Sequence, residues 1–384
     1  MTETKIVKLE DICDIIAGQS PPSSTYNKDG DGLPFFQGKA DFGKIHPKTR
    51  IWCNKPRKVA EKGDILISVR APVGPTNVCD QQCCIGRGLS AIRPRKDVDQ
   101  QYLLFYLRKV ELEISNKGRG STFSAITQKD LKSIKIPLPP IEEQKRIVRI
   151  LDQADSLRQK RQKAISLLDD YLKAVFLEMF GDPVTNPKGW GIKSLKEITS
   201  KIGSGATPRG GKNAYKTEGV SLIRSLNIHD DKFLHKNLAF IDDKQAVALA
   251  NVKVELRDVL LNITGASVCR CAIVVDSVLP ARVNQHVAII RPKKEILNSY
   301  YLLHLLISFR YKKKLIRMAT AGGATREALT KLQIEQSLVP VPSIELQNKF
   351  ASIVEGIKSL KHNMTYQAKE LELQFQALMK RSFR

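Results

Sequence analysis

The sequence predicts an α+β protein built twice: two similar mixed α/β domains, each followed by one long helix, the two helices pairing as an antiparallel coiled coil about a pseudo-twofold axis. Three observations carry this. PLPPIEEQKRIVRILDQADSLRQKRQKAISLLDDYLKAVFLEMF, at 137–180, runs about forty residues past its opening prolines with no further Pro or Gly. PVPSIELQ at 340–347 repeats PLPPIEEQ at 137–144 with an offset of 203 residues. The segments preceding the two helices show strand, turn and helix signals in the same order. The expected divisions are 1–136, 137–183, 184–338 and 339–384.

The helices come first. Prolines tolerated in a first turn precede Glu142 and Glu143, where the positive end of a helix dipole favours acids. Ile147, Ala154, Leu168 and Val175 fall in heptad register, with Arg161 breaking the seam, and Ile150, Leu157 and Tyr171 are assigned to the neighbouring seam. Gly181-Asp182-Pro183 ends the helix. At about 1.5 Å per residue it is a rod of roughly 60 Å. The offset of 203 also holds upstream, where Gly120, Thr122 and Thr127 fall on Gly323, Thr325 and Thr330. Downstream it begins a heptad of Phe350, Ile357, Met364, Leu371 and Leu378. Two narrow apolar stripes are best kept dry by pairing with each other.

In the first segment KIVKLEDICDII is a short amphipathic opening and GQSPPSSTYNKDGDG a loop. GDILISV at 63–69 and CCIGRGLSAIRP at 83–94 have strand character, QQYLLFYLRKVELEI at 100–114 has helical spacing, and NKGRGST at 116–122 is a basic loop. The second segment echoes these events. SLKEI answers KLEDI, RDVLLNI answers GDILISV, VNQHVAIIRP at 283–292 answers IGRGLSAIRP at 85–94, and SYYLLHLL answers QYLLFYL. The offset drifts from 186 to 203 across these segments, so the loops differ in length and content.

The 63 Lys and Arg residues against 39 acids give a net charge of +24, spread along the chain, which argues for a polyanionic partner and for nucleic acid ahead of a membrane. No apolar run reaches the roughly twenty residues that cross a bilayer, and MTETKIVKLED lacks a signal-peptide core, so a cytoplasmic protein with no membrane partner is expected. Seven cysteines, at 13, 53, 79, 83, 84, 269 and 271, lack the two-residue spacing of zinc knuckles and are expected as small core residues rather than metal ligands or disulfides. GSGATPRGGKN at 203–213 imitates a phosphate-cradling loop, but Ala206 replaces its first glycine and Asn213 the hydroxyl that would bind magnesium, leaving a basic loop suited to DNA phosphate. Asp64 and Asp258 stand beside strands as turn residues, without the clustered carboxylates a nuclease needs.

Matched spacers with divergent loops suit a protein that holds two different readers at a set separation. Duplex DNA, whose turns recur about every 34 Å, is the simplest object for them to read. The sequence resembles the specificity subunit of type I restriction-modification enzymes. The resemblance is carried by the twin PLPPIEEQKRIVRILD and PVPSIELQNKFASIVE starts, the LKAVFLEMFGDP exit and the GRGST and AGGAT turns, and it spans nearly the whole chain. It implies two target-recognition domains reading the halves of a split, asymmetric DNA sequence, with the coiled coil as ruler. It also implies partners: double-stranded DNA, two modification subunits that methylate adenine, and two motor-nuclease restriction subunits. S-adenosylmethionine, ATP and magnesium belong on those partners, and this chain is expected to bind no cofactor and to be non-catalytic. Consistently, PLPP and SPPS lack the leading Asn or Asp and the aromatic of an adenine-methyltransferase tetrapeptide. A coiled-coil adaptor with incidental basic charge is the competing reading.

Phosphate contacts are expected from Lys and Arg, and base discrimination from Arg, Asn and Gln. Loop positions beside predicted strands nominate Lys39, Arg70, Arg87 and Arg119 in the first domain, and Arg209, Lys212, Arg224, Arg282, Asn284 and Gln285 in the second. Val175, Phe176 and Phe180 are nominated to dock the modification subunits, with helix pairing as the other explanation of their apolar character. Arg87→Ala or Asn284→Ala should weaken one half-site by about 1 to 3 kcal/mol and spare the other. Deleting one heptad from both helices should alter the tolerated gap between half-sites while preserving each half's sequence; methylation mapping that returns an unchanged gap would refute the ruler.

Overall fold

The computed structural model describes residues 4–118, 125–208, 210–321 and 327–383, with Lys212 described by its backbone. The chain forms two compact units, Met1–Gln162 with Tyr366–Arg384, and Lys163–Thr365. The unit boundaries fall inside the two long segments expected as helices, at 162/163 and 365/366.

In the first unit, β1 (Lys5–Lys8) pairs antiparallel with β8 (Lys135–Leu138), the strand that leads into the long helix. A four-stranded antiparallel sheet runs β2 (Cys13–Ala17), β7 (Leu89–Pro94), β4 (Ile65–Ser68), β5 (Thr76–Val78). Against it, β3 (Leu33–Phe36) and β6 (Cys83–Ile85) pair in parallel within a second sheet, of five short strands. Leu66, Ile85, Leu89 and Ala91 share one core under these sheets. A second core joins Ile65 and Ile67 to α1 (Gln100–Lys109).

The long helix α2 (Ile141–Phe180) starts in this unit. Gln144, fully buried, explains why PLPPIEEQ recurs. Its Oε1 accepts from the Asp99 N–H at 2.8 Å, and its Nε2 donates to the carbonyls of Asp97 and Pro139. Gln347 makes the same three bonds, to the Asn298 N–H and the Ile296 and Pro342 carbonyls. Each glutamine locks the start of a long helix to the turn that opens an earlier helix of its unit, Gln100–Lys109 or Ser299–Ile307. The Tyr102 and Tyr301 hydroxyls donate to the carbonyls of Pro137 and Pro340, another pair related by 203.

The second unit repeats the arrangement. Strand β9 (Ile192–Ser194) pairs with β16 (Leu338–Pro340). The four-stranded sheet runs β10 (Thr199–Ser204), β15 (Val287–Pro292), β12 (Val259–Asn262), β13 (Cys271–Ile273). The parallel pair is β11 (Val220–Ile223) with β14 (Ala281–Val283). Helices α3 (Ser299–Ile307) and α4 (Phe309–Thr320) precede β16, and α5 (Ile344–Ser382) is the second long helix. Asp64 and Asp258 each cap a turn and accept a bidentate fork, from Arg93 at 2.9 Å and from Arg291 at 2.7 and 2.8 Å. They are turn residues that also anchor a strand. All seven cysteines are buried, and burial pushes the Cys13, Cys84 and Cys269 thiols up to about 12.

The long helices run antiparallel to each other within each unit. Arg158 bonds Glu372 at 2.9 Å and lies over the Phe375 ring in the first unit. Lys361 bonds Asp169, and Phe350 packs on Phe176 and Phe180 at 5.5 and 5.4 Å, in the second. The Ile147, Ala154, Leu168, Val175 seam holds, but its companion lies four residues on, at Leu151, Ile165 and Leu172. Leu157 and Tyr171 are 54% and 57% exposed, because the first seam takes d-type heptad positions, whose buried companion lies four residues on, and the residue three on falls on the helix flank. Arg158 occupies the companion seam and turns its charge outward to Glu372.

Val175, Phe176 and Phe180 are 8%, 3% and 2% exposed. They sit in the second unit's core with Tyr301 and Phe350, so they are not a free docking patch, and pairing explains their apolar character. Phe383 plays the same part in the first unit, against Tyr102 and Tyr106. Each globule is thus closed by the C-terminal end of the other repeat's helix.

Replacing Gln144 by Leu strands an N–H and two carbonyls in the interior and should cost about 2 to 4 kcal/mol in urea unfolding, with Gln347→Leu costing a similar amount. His304, in α3 between Phe176 and Phe350, has its imidazole held down to about 4 from an ordinary 6.5 by burial, with Asp231 opposing and Lys358 reinforcing the shift. Above pH 6.5 the ring is neutral in both folded and unfolded chains. Between 6.5 and about 4 the unfolded chain takes up a proton that the fold refuses, so stability should fall across that window by up to about 3 kcal/mol. His304→Leu should flatten that dependence in pH-resolved thermal melts.

Candidate nucleic-acid interface

Each parallel strand pair delivers two loops to one end of its unit. Glycines hold the first unit's loops tight. A Cβ on Gly88 would meet the Gln37 carbonyl oxygen at 2.2 Å, and one on Gly18 would meet the Gly86 oxygen at 2.2 Å. Between those glycines Arg87 stands exposed, its N–H donating to Ser20 Oγ at 3.2 Å. Gln37 is exposed one residue past β3, its N–H taken by Asp41 Oδ2 at 2.7 Å. Lys39 is exposed in the same turn, and Arg70 is exposed where it bridges Ala125 past β4.

The second unit builds the same end with different side chains. Gly86 N–H bonds the Phe36 carbonyl at 2.8 Å, and Asn284 N–H bonds Ile223 at 3.1 Å. Val69 N–H bonds Gly88, and Ile263 N–H bonds His286, both at 3.0 Å. The bridge of Arg70 to Ala125 recurs as Thr264 to Ala328. Gly86, Arg87 and Gly88 therefore correspond to Asn284, Gln285 and His286, Gln37 to Arg224, and Arg70 to Thr264.

Gln285 is exposed and accepts from the Thr207 hydroxyl. Asn284 is 4% exposed and its Oδ1 accepts from the His286 N–H at 3.1 Å, so it shapes the turn and does not face solvent. His286 Nδ1 lies 2.6 Å from Thr264 Oγ1. Arg224 lies over the Tyr215 ring at 5.1 Å and donates to the Asn237 carbonyl. Its turn is set by fully buried Asn227, whose Oδ1 accepts the Arg224 N–H at 3.1 Å. Arg282 is turned inward: its guanidinium donates to the carbonyls of Ala246 and Ala281 at 3.1 and 3.0 Å, and burial lowers its pKa. A residue on the middle of β14 cannot also serve a loop, which corrects its nomination. Arg119, Arg209 and the Lys212 side chain lie outside the described residues.

One basic feature was not nominated. On α4, Arg310, Lys313, Lys314 and Arg317 line a groove of about 540 Å³ with Val184, Phe309 and Met318. Arg310 pairs with Asp182 at 3.4 Å; among the described residues no carboxylate pairs with Lys313, Lys314 or Arg317. The end of α4 is tied to the loop cluster, since Ala328 N–H bonds Ala319 at 3.2 Å and Leu329 N–H bonds Ile263 at 2.8 Å. The signal was present in FRYKKKLIR, whose cations recur at three- and four-residue spacing. No helix of the described residues is long and apolar enough to cross a membrane, and no group of three or more His, Cys, Asp or Glu among them could hold a metal.

The sequence profile of the type I restriction modification DNA specificity domain matches the chain twice, over residues 1–167 and 187–373. A Methanocaldococcus jannaschii protein named as the type I restriction enzyme MjaX specificity subunit is 53% identical over 150 residues, 39% of this chain and 35% of that one. The chain thus covers about a third of that relative. The type I restriction enzyme MjaIX specificity subunit of the same organism is 24% identical across 92% of this chain and 86% of its own. The solved type I restriction-modification S subunit of M. genitalium shares the fold, with a TM-score of 0.57 at 15% identity over 100% of this chain and 97% of that one.

Proposed function

The chain belongs to the type I restriction modification DNA specificity family, and we propose that it is the specificity subunit of such a system, reading a split, asymmetric sequence in double-stranded DNA. The observation that carries this is the pair of register-matched loop clusters, built on one backbone plan and dressed with different side chains. A duplicated scaffold with unlike tips suits recognition of two unlike half-sites. In this reading Arg87 and Gln285 face base edges, with Gln37 and Arg224 beside them. Lys39 and Arg70 supply contacts from the loops beside them, and Arg119, Arg209 and Lys212 are assigned further contacts to DNA. The chain is itself non-catalytic and cytoplasmic. Two modification subunits carry S-adenosylmethionine and methylate adenine, and two restriction subunits use ATP and magnesium.

Chemistry separates these roles. Arg and Lys lower the free energy of binding through phosphates whatever the sequence, so affinity falls with salt. Base choice needs forks or amides held at a set angle, which tight glycine loops and hydrogen-bonded turns provide. The adaptor reading gives no account of matched loop clusters on so basic a chain.

Adenine-methylation mapping of cells expressing the chain with its neighbouring methyltransferase subunit, against cells lacking this chain alone, tests the proposal. A split motif that depends on the chain is expected, and identical methylation in both would count against it. The α4 cations are expected to act on DNA phosphate. Replacing Lys313 and Arg317 by Ala should lower the steepness of the salt dependence by about one to two phosphates' worth without changing the motif, as read by fluorescence anisotropy across a salt series.

A further inference from the structure

We propose that the two units discriminate bases with the same two side-chain chemistries mounted on exchanged strands, Gln37 with Arg87 in one and Arg224 with Gln285 in the other. The inference rests on the DNA-specificity reading above and adds which positions decide the half-sites. The hydrogen bonds of Gly86 to Phe36 and of Asn284 to Ile223 place Arg87 and Gln285 at one structural position. The parallel pairing of Phe36 with Ile85, and of Ile223 with Val283, places Gln37 and Arg224 at the other.

Were the Arg87 position a phosphate contact, a cation would serve it equally in both units. A neutral Gln285 there argues for base recognition. An Arg fork matches the O6 and N7 acceptors of guanine in the major groove, and a glutamine amide matches the N6 donor and N7 acceptor of adenine. One scaffold position therefore offers guanine preference in one unit and adenine preference in the other, and the neighbouring strand offers the reverse. The side chains are held for the task. Gly86 and Gly88 bring Arg87 against the Gln37 turn, the Thr207 hydroxyl donates to Gln285 Oε1, and Tyr215 with the Asn237 carbonyl steadies Arg224.

The test is the reciprocal exchange in the full chain, R87Q and Q285R, each co-expressed with the neighbouring methyltransferase subunit and read by methylation mapping. Binding of the purified complex to random-sequence duplex and a thermal melt are measured beside it. R87Q should move one base pair of one half-site from G·C toward A·T by at least tenfold, leaving the other half intact, and Q285R should do the converse in the other half. R87K keeps the charge without the fork and should relax that base pair while binding random duplex as the unsubstituted chain does. A motif unchanged in R87Q, R87K and Q285R beside a clear unsubstituted motif overturns the exchange and leaves the specificity reading standing. Uniform weakening on specific and random duplex alike makes Arg87 a phosphate contact and overturns it as well. If the unsubstituted chain directs no split motif, the specificity reading itself falls. Should one substituted chain melt early, the other two decide by the same criteria.

Discussion

A helix with a narrow apolar stripe cannot remain wet along its length, and everything else in this protein follows from where the two stripes are buried. Phe383 closes the core that contains Tyr102 and Tyr106, and Phe180 closes the one that contains Tyr301 and Phe350. Each core is therefore completed by a helix that begins after the other globule. Fully burying an aromatic side chain is worth about 2 to 3 kcal/mol, so losing a helix end costs a unit a sizeable part of its stability. Neither repeat has a complete core by itself, which couples the duplication to the fold.

The polar exceptions to burial are as informative as the apolar ones. Gln144 and Gln347 are fully buried and satisfy three backbone groups each, so they set the angle at which a helix leaves its globule. Arg93 and Arg291 serve buried aspartates at equivalent strands through two-pronged bonds. An unsatisfied polar group in these places would cost more than a satisfied one contributes, and the same bonds recur in both units. Rigidity of this kind frees the loops at the strand ends to differ, since their side chains bear little of the packing.

The two loop clusters illustrate that freedom. Gly86, Arg87 and Gly88 make a turn by removing side chains, whereas Asn284, Gln285 and His286 make the same turn with side chains that bond, Asn284 to the His286 N–H and His286 to the Thr264 hydroxyl. The exposed central residue is all that the two share in role. Among the described residues the basic face of α4 has no counterpart in the first unit, where the helix Glu111–Asn116 carries Glu111 and Glu113. The two ends of the duplication thus differ in field as well as in shape, as unlike half-sites would require.

Heptad spacing, the repeated PLPPIEEQ-like start and the paired strand signals were sufficient by themselves to establish a duplicated α+β chain with paired antiparallel helices, because periodicity of apolar residues is a local property. They also placed Arg87 and Gln285 at loop tips, since glycine and turn residues announce themselves. Tertiary structure alone decided which stripe neighbour is buried, moving the companion seam from Leu157 and Tyr171 to Leu151, Ile165 and Leu172. It alone took Val175, Phe176 and Phe180 out of solvent and turned Arg282 and Asn284 inward. Exposure is set by what a distant segment covers, and a side chain's hydrogen-bond partner can lie far away in sequence, so neither is written in local spacing.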